Sequence, residues 1–383
     1  MSEYDYIRRK PFEILRFFFS ILICCVLTMA VTYLVVIPVT QSLQMPDDIK
    51  LTQEEITNKQ RISPNQFVKG IYDKDAMVDD EGKAWVDLKL FGFIKVKRIK
   101  VDVLPFDRAI AGGVPVGFSA KTNGVIVLTG GESHNTENGS RKARYKRGDV
   151  ITNMDGVPIT SVEDFEKHLD GKNMGLWVKD ETSGVGMLTY INPANNNFAA
   201  LGHKLVDFET GAGVNCRAGH VYLCNVIGVE KCRARKIGEL KSTLRKGNGS
   251  VQGSVLSSNS RGVFGCFNED SEFMELCRDN VYPVGSRYSV RPGKATILAA
   301  LDGENIEEYD IEIIKTRVQK REQNKGLILR ITDKRLLEKT GGIIHGMSGS
   351  PIIQNGKLVG ALTHVMVGDY TKGYGIYVDF MVP

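Results

Sequence analysis

The chain has 383 residues, 42% of them hydrophobic and 25% charged, with 50 Lys and Arg set against 45 Asp and Glu. That composition excludes a disordered, collagenous or polytopic membrane chain, and a net charge of +5 is too mild to argue nucleic-acid binding. Forty glycines beside two tryptophans predict many tight turns, as in β-rich folds.

The first predicted element is residues 17–39, a run of 23 residues without a charge and rich in Phe, Ile, Leu and Val. Such a run crosses a hydrocarbon core of about 30 Å as a tilted helix. Arg8, Arg9, Lys10 and Arg16 precede it, and Asp47 and Asp48 follow. The positive-inside rule then places 1–16 in the cytoplasm and everything after Thr40 outside. The run is longer than the apolar part of a signal peptide and no small-x-small site ends it, so it reads as a retained anchor.

Residues 40–100 read as a tether with short strands. Up to Ser63 the segment is polar and lacks a strong period; Asp87-Leu88-Lys89-Leu90 and Ile94-Lys95-Val96-Lys97 then alternate as half-exposed strands do. Of seven cysteines, Cys24 and Cys25 lie in the anchor as apolar packing residues. Cys216, Cys224, Cys232, Cys266 and Cys277 show no C-x-x-C spacing, so no metal site and no cofactor is expected. One or two disulfides in an oxidising exterior and buried free thiols both fit them.

Residues 101–178 form the next predicted unit. Gly124-Val125-Ile126-Val127-Leu128 reads as a buried strand, and Asp155-Gly156 marks a tight turn between two short ones. Thr160-x-x-Glu163 opens a short helix whose apolar face is Val162, Phe165 and Leu169. The run Lys146 to Ile159, K-x-G-D-V-I-x-N-x-D-G-x-x-I, resembles that of a PDZ domain. The resemblance implies a peptide-binding groove, with Gly117 and Phe118 in the loop that would hold a chain-end carboxylate. A polar and then basic insert, 132–147, reads as a solvated loop.

From 179 to 383 short apolar strands alternate with Gly, Asn, Asp and Pro clusters, the pattern of a β-sandwich or barrel. Within it stands Thr340-Gly341-Gly342-Ile343-Ile344-His345-Gly346-Met347-Ser348-Gly349-Ser350-Pro351. A nucleophilic serine needs an exposed hydroxyl, a base within reach and backbone donors aimed at the developing oxyanion. Small residues on both sides of Ser348 let the chain turn and a substrate carbonyl approach. The loop resembles the nucleophile loop of chymotrypsin-like serine peptidases, which implies Ser348 as nucleophile and the N–H groups of Gly346 and Ser348 as oxyanion hole. His203, far upstream after Ala200-Leu201-Gly202, stands in the His-before-Ser order of that group.

Over nearly its whole length the chain is similar to the stage IV sporulation protein B peptidases of spore-forming bacteria. Ala200 to His203, Ile331-Thr332-Asp333, Thr340 to Ile343, Gly346 to Pro351, Ile352 to Lys357 and Gly360 to Val365 carry the likeness. It implies a mainly β architecture: an N-terminal transmembrane helix, an α+β PDZ domain, and a chymotrypsin-like β-barrel peptidase over 179–383. It further implies His203 as general base and Asp333 as its orienting acid; Asp207 and Asp310 could also reach a histidine in some folds. Thr363, His364 and Val365 would form the strand that pairs with substrate. The implied activity is a membrane-tethered serine endopeptidase that cuts a membrane-bound regulator of another protease during sporulation and processes itself. Its place would be the space between forespore and mother-cell membranes, with its PDZ groove holding peptide segments. The rival reading is a non-catalytic membrane adaptor with a pseudopeptidase domain.

Overall fold

The computed structural model describes residues 3–72, 83–129, 145–169, 175–207, 209–214, 216–245, 247, 249–317, 319 and 321–382. It divides into two units, the first comprising 1–50 and 55–103, the second 51–54 and 104–383.

The first unit begins with a helix, Glu3–Val31, that passes through a π-helical turn, Thr32–Val36, into Ile37–Leu43. In the π turn the Ile37 N–H reaches back five residues to the Thr32 carbonyl. Pro38, which has no N–H and crowds the preceding turn, gives the helix its reason to widen there. Its stretch 15–43 is long and apolar enough to cross a bilayer, which makes it a candidate single-pass anchor.

A four-stranded antiparallel sheet follows, in the order Asp48–Leu51, Ile94–Val103, Lys83–Leu90, Val68–Tyr72. Ala84, Val86, Leu88 and Leu90 all point inward, as a period of two requires. The expected tether is therefore folded. Ile49, Ile56, Ile62 and Val68 are essentially fully buried, although they are too widely spaced among polar residues to set up a readable period.

In the second unit, pairing closes a ring of six strands: Pro115–Thr129, Trp177–Ile191, Asn197–Ala200, Gly262–Phe267, Val251–Asn259 and Cys216–Glu230. Phe118, Leu188, Phe198, Val221 and Val255 fill this first barrel. A second closed barrel runs Gly293–Ala299, Glu307–Thr316, Leu327–Ile331, Asp369–Tyr377, Lys357–Met366 and Pro351–Gln354. Ile297, Ile311, Leu329, Ile352, Leu362 and Ile376 form its core. The fold is thus mostly β, with a β-barrel of the chymotrypsin-like kind. All seven cysteines are free thiols.

The expected unit at 101–178 is not set apart, because its long strand Pro115–Thr129 belongs to the first barrel. Gly117 and Phe118 lie in mid-strand, with Gly117 opposite Val185 on one edge and Tyr222 on the other, and Phe118 is wholly buried. Both edges of that backbone are taken, so no chain end can be held there. The small elements that carried the PDZ resemblance do form. Val150–Ile151, the hairpin Asn153–Met154 with Val157–Pro158, and the helix Val162–Leu169 enclose Val125, Val127, Ile151, Ile159 and Phe165. Most of the basic insert lies outside the described residues.

Candidate active site

The serine loop is fixed by hydrogen bonds from both barrels. It follows the helix Lys334–Thr340, which ends on Gly341 in the left-handed region (φ 70°). The Ile343 N–H donates to the Tyr370 carbonyl at 2.7 Å. The hairpin of Cys216–Glu230 with Glu239–Leu244 then reaches across from the first barrel. There the His345 N–H donates to Gly238 at 2.9 Å and the Leu240 N–H to His345 at 2.8 Å. Beyond the serine, Met187 N–H donates to the Ser348 carbonyl at 2.7 Å, Thr189 Oγ1 to the Gly349 carbonyl at 2.9 Å, and Gly349 N–H to Leu362 at 2.7 Å. Within this network the N–H groups of Gly346 and Ser348 have no partner among the described residues. Two fixed, unused backbone donors beside a serine are what a developing oxyanion requires.

His203 arrives from the other barrel. Strand Asn197–Ala200 breaks at Leu201 and Gly202, both with positive φ (69° and 68°), and His203 follows the turn. For leucine that conformation is costly, and the packed surroundings hold it. Leu201 N–H donates to the Met187 carbonyl at 3.2 Å, and Met187 in turn donates to Ser348. A Cβ built on Gly202 would stand 2.7 Å from Thr363 Cγ2. The rings of His203 and His364 are 5.1 Å apart. His203, Ser348, Thr363 and His364 are therefore brought together from remote parts of the chain.

The tautomer of His203 follows from its partner. Its Nδ1 lies 2.7 Å from the Lys204 carbonyl, which can only accept, so Nδ1 carries the proton and Nε2 keeps its lone pair. Burial pushes the His203 pKa below the ordinary value, the Lys204 carbonyl opposes this, and His345 adds to the lowering. His364 is pushed down to about 4 by burial, helped by His203 and Lys325. Both imidazoles are neutral near pH 7. The Ser348 hydroxyl itself donates to the Thr363 carbonyl at 2.8 Å.

The acid expected from resemblance is not brought to the histidine. Asp333 caps helix Lys334–Thr340, accepting from the N–H groups of Arg335 (2.8 Å) and Leu336 (3.2 Å), and pairs with the Arg335 guanidinium at 2.9 Å. It also accepts from Asp310 N–H at 3.3 Å, so its oxygens are committed locally. Asp207 is buried against Thr182, Thr210 and Lys179. The orienting contact of His203 is instead its neighbour's carbonyl. Short-range side chain-to-backbone contacts of that kind leave no sequence signature, and neither do the braces from Met187, Thr189 and Gly238.

Thr363, His364 and Val365 lie where the strand Lys357–Met366 loses one neighbour. Strand Pro351–Gln354 pairs with it only as far as Ala361, while Asp369–Tyr377 continues on the other edge through a register shift between Leu362 and His364. Among the described residues no strand pairs with Thr363–Val365 on the edge beside Ser348.

The family model described as SpoIVB peptidase S55 matches residues 170–382, more than half of the chain. Among solved structures, the Rv3671c protease from M. tuberculosis in its active form is similar at 12% identity and a TM-score of 0.27, over 51% of this chain and 70% of that one. The inactive form of the same protease gives 12% identity and a TM-score of 0.26, over 50% and 78%. No curated protein sequence matches the chain.

Proposed function

The chain belongs to the SpoIVB peptidase S55 family, and on that premise we propose that this serine peptidase works through Ser348 as nucleophile and His203 as base. Among the described residues the N–H groups of Gly346 and Ser348 have no partner, the Ser348 hydroxyl meets Thr363, and His203, its Nδ1 engaged by Lys204, packs on the adjoining His364; this observation supports the reading. In the reaction the Ser348 Oγ–H gives its proton to His203 Nε2 as Oγ bonds to the substrate carbonyl carbon. The carbonyl oxygen, now negative, accepts from Gly346 and Ser348 N–H. The imidazolium then protonates the leaving amine, and water repeats the sequence on the acyl-enzyme.

Substrate would add as a strand along Thr363–Val365, its N–H competing for the Thr363 carbonyl that Ser348 occupies at rest. Substrate entry thus frees the hydroxyl to turn to His203. As in the family it resembles, the substrate would be a membrane-bound regulator of another protease, cut outside the cytoplasm during sporulation, with self-processing near the anchor. The edge of Val150–Ile151, the last strand of its sheet, is a place where a peptide segment would bind and regulate the enzyme. A fluorophosphonate probe on the full chain tests the reading. Attachment at Ser348, lost in His203→Gln, is the expected result, and the adaptor reading takes its place if no condition yields an adduct.

A further inference from the structure

The first unit carries an apolar end that neither the catalytic site nor the sheet's own core uses. The turn joining Lys83–Leu90 to Ile94–Val103 is Phe91-Gly92-Phe93, with Phe91 and Gly92 at positive φ (52° and 85°). Phe91 is 44%, Phe93 72% and Ile94 48% exposed, three large apolar side chains in four residues. A turn of this length is ordinarily polar, and solvent gives no reason for two phenylalanines at its tip.

The position of this turn along the helix supplies a reason. Phe67, whose carbonyl accepts from Phe91 N–H at 2.8 Å, packs its ring 5.5 Å from Tyr33 and 6.2 Å from Phe91. Phe91 continues the row to Phe93 at 6.4 Å. Gln66 Nε2 reaches the Tyr33 hydroxyl at 3.4 Å, and Asn65 Nδ2 the Gln41 side chain at 2.9 Å. This end of the sheet is therefore held against the helix between Tyr33 and Gln41. A hydrocarbon core of about 30 Å takes roughly 20 residues of helix, so a span that begins after Arg16 ends near Val36. Tyr33 then sits in the last turn of that span, the level at which aromatic side chains gather at a membrane surface.

A second, independent observation concerns charge. Behind the aromatic tip, Lys69 and Lys89 are directly opposite one another in the register, and neither has an acidic partner among the described residues. Like charges opposed across two strands are unfavourable in water, and an anionic surface would relieve them.

From these positions we propose that the turn Phe91–Ile94 inserts into the lipid headgroup–acyl boundary beside the helix. Lys69 and Lys89 would meet anionic headgroups there. The small sheet thus becomes a second membrane contact, and the first unit is held at the bilayer rather than swinging from its anchor. The proposal rests on the helix spanning a bilayer and is independent of the catalytic reading.

The test uses the full chain in phosphatidylglycerol–phosphatidylcholine vesicles, with p-benzoylphenylalanine replacing Phe93, or Leu27 as an in-helix reference, or Val367 as a solvent reference. After irradiation, mass spectrometry is expected to find lipid adducts at 93 and 27 and none at 367. Raising the anionic lipid fraction is expected to raise the yield at 93 about twofold, a gain that Lys69→Ser with Lys89→Ser removes. Adducts at 27 without any at 93 overturn the proposal and leave the anchor standing. A crosslink from 93 to a second copy, without lipid, overturns it in favour of self-association. Absence of lipid at 27 and 93 alike removes the spanning helix and the proposal together.

Discussion

The Ser348 hydroxyl donates to the Thr363 carbonyl at 2.8 Å, and so faces the strand expected to receive substrate rather than the imidazole of His203. An incoming chain that donates its own N–H to Thr363 displaces this bond. A peptidyl phosphonate with a free N–H at the residue bearing phosphorus is expected to label Ser348 about tenfold or more faster than its N-methyl analogue, roughly the worth of one hydrogen bond with its buried acceptor. A small alkyl fluorophosphonate without that N–H should react slowly, and addition of a short non-cleavable peptide should accelerate it. Acceleration distinguishes a freed serine from simple competition, which slows labelling.

The lowered pKa of His203 sets the acid limb of activity. A base must be neutral to accept the serine proton, and a depressed pKa keeps it neutral to lower pH. The midpoint of the acid limb of the kcat/KM profile is therefore expected below 6.5, the ordinary histidine value. His364 adds a stability effect with the same sign. Its folded pKa of about 4 lies below the unfolded 6.5, so the unfolded chain binds more protons between them. Its contribution is complete above 6.5 and is lost as pH falls toward 4. Denaturant titration at pH 7 and pH 5 should show this loss, reduced in His364→Phe.

Two glycines of the serine loop should respond differently to alanine. At Gly349 (φ 98°) a Cβ would stand 2.0 Å from the Met187 carbonyl, a backbone atom that cannot move aside. Gly349→Ala is expected to cost about 3 kcal/mol or more in stability. At Gly346 (φ 96°) the Cβ would meet Leu240 Cβ at 2.7 Å, and the residue's N–H is one of the two free donors. Gly346→Ala is expected to lower kcat by about 10²–10³ through a turned donor, with a smaller change in melting temperature.

Asp333 gives a clean separation between cap and triad acid. Asparagine caps a helix about as well as aspartate, whereas alanine gives up about 1 kcal/mol. If the carboxylate serves the helix, Asp333→Asn retains probe labelling per folded molecule and Asp333→Ala melts earlier. A loss of about 10⁴ in kcat for Asp333→Asn, without unfolding, would instead mark it as the group that orients His203.

Much of this protein could be read from residue order. The apolar run before Gln41, the alternation of 87–90 and the Gly-rich turn around Ser348 each state a local physical requirement, and helix, strand and turn form at those places; 94–97 is also strand, but there Ile94 is exposed against the pattern. Residue order stops informing where local pattern and global pairing part. Gly117-Phe118 has the composition of a binding loop, but both neighbouring strands claim its backbone, a fact set by residues nearly 70 and more than 100 positions away. The polar stretch 40–63 hid a buried set of isoleucines too sparse to show a period. Likewise Asp333 stands just before the helix Lys334–Thr340, where an aspartate is favoured as N-cap, and its side chain accepts from the N–H groups of Arg335 and Leu336.

The most direct measurement compares purified full-length protein with Ser348→Ala for cleavage of itself and of an unfolded protein substrate, with near-ultraviolet circular dichroism as the check on folding. The hydroxyl's single bond to Thr363 is worth about 1 kcal/mol, so the variant should fold as the parent does. The account predicts that both cleavages vanish in the folded variant. Cleavage at the parent's rate by folded Ser348→Ala would contradict it.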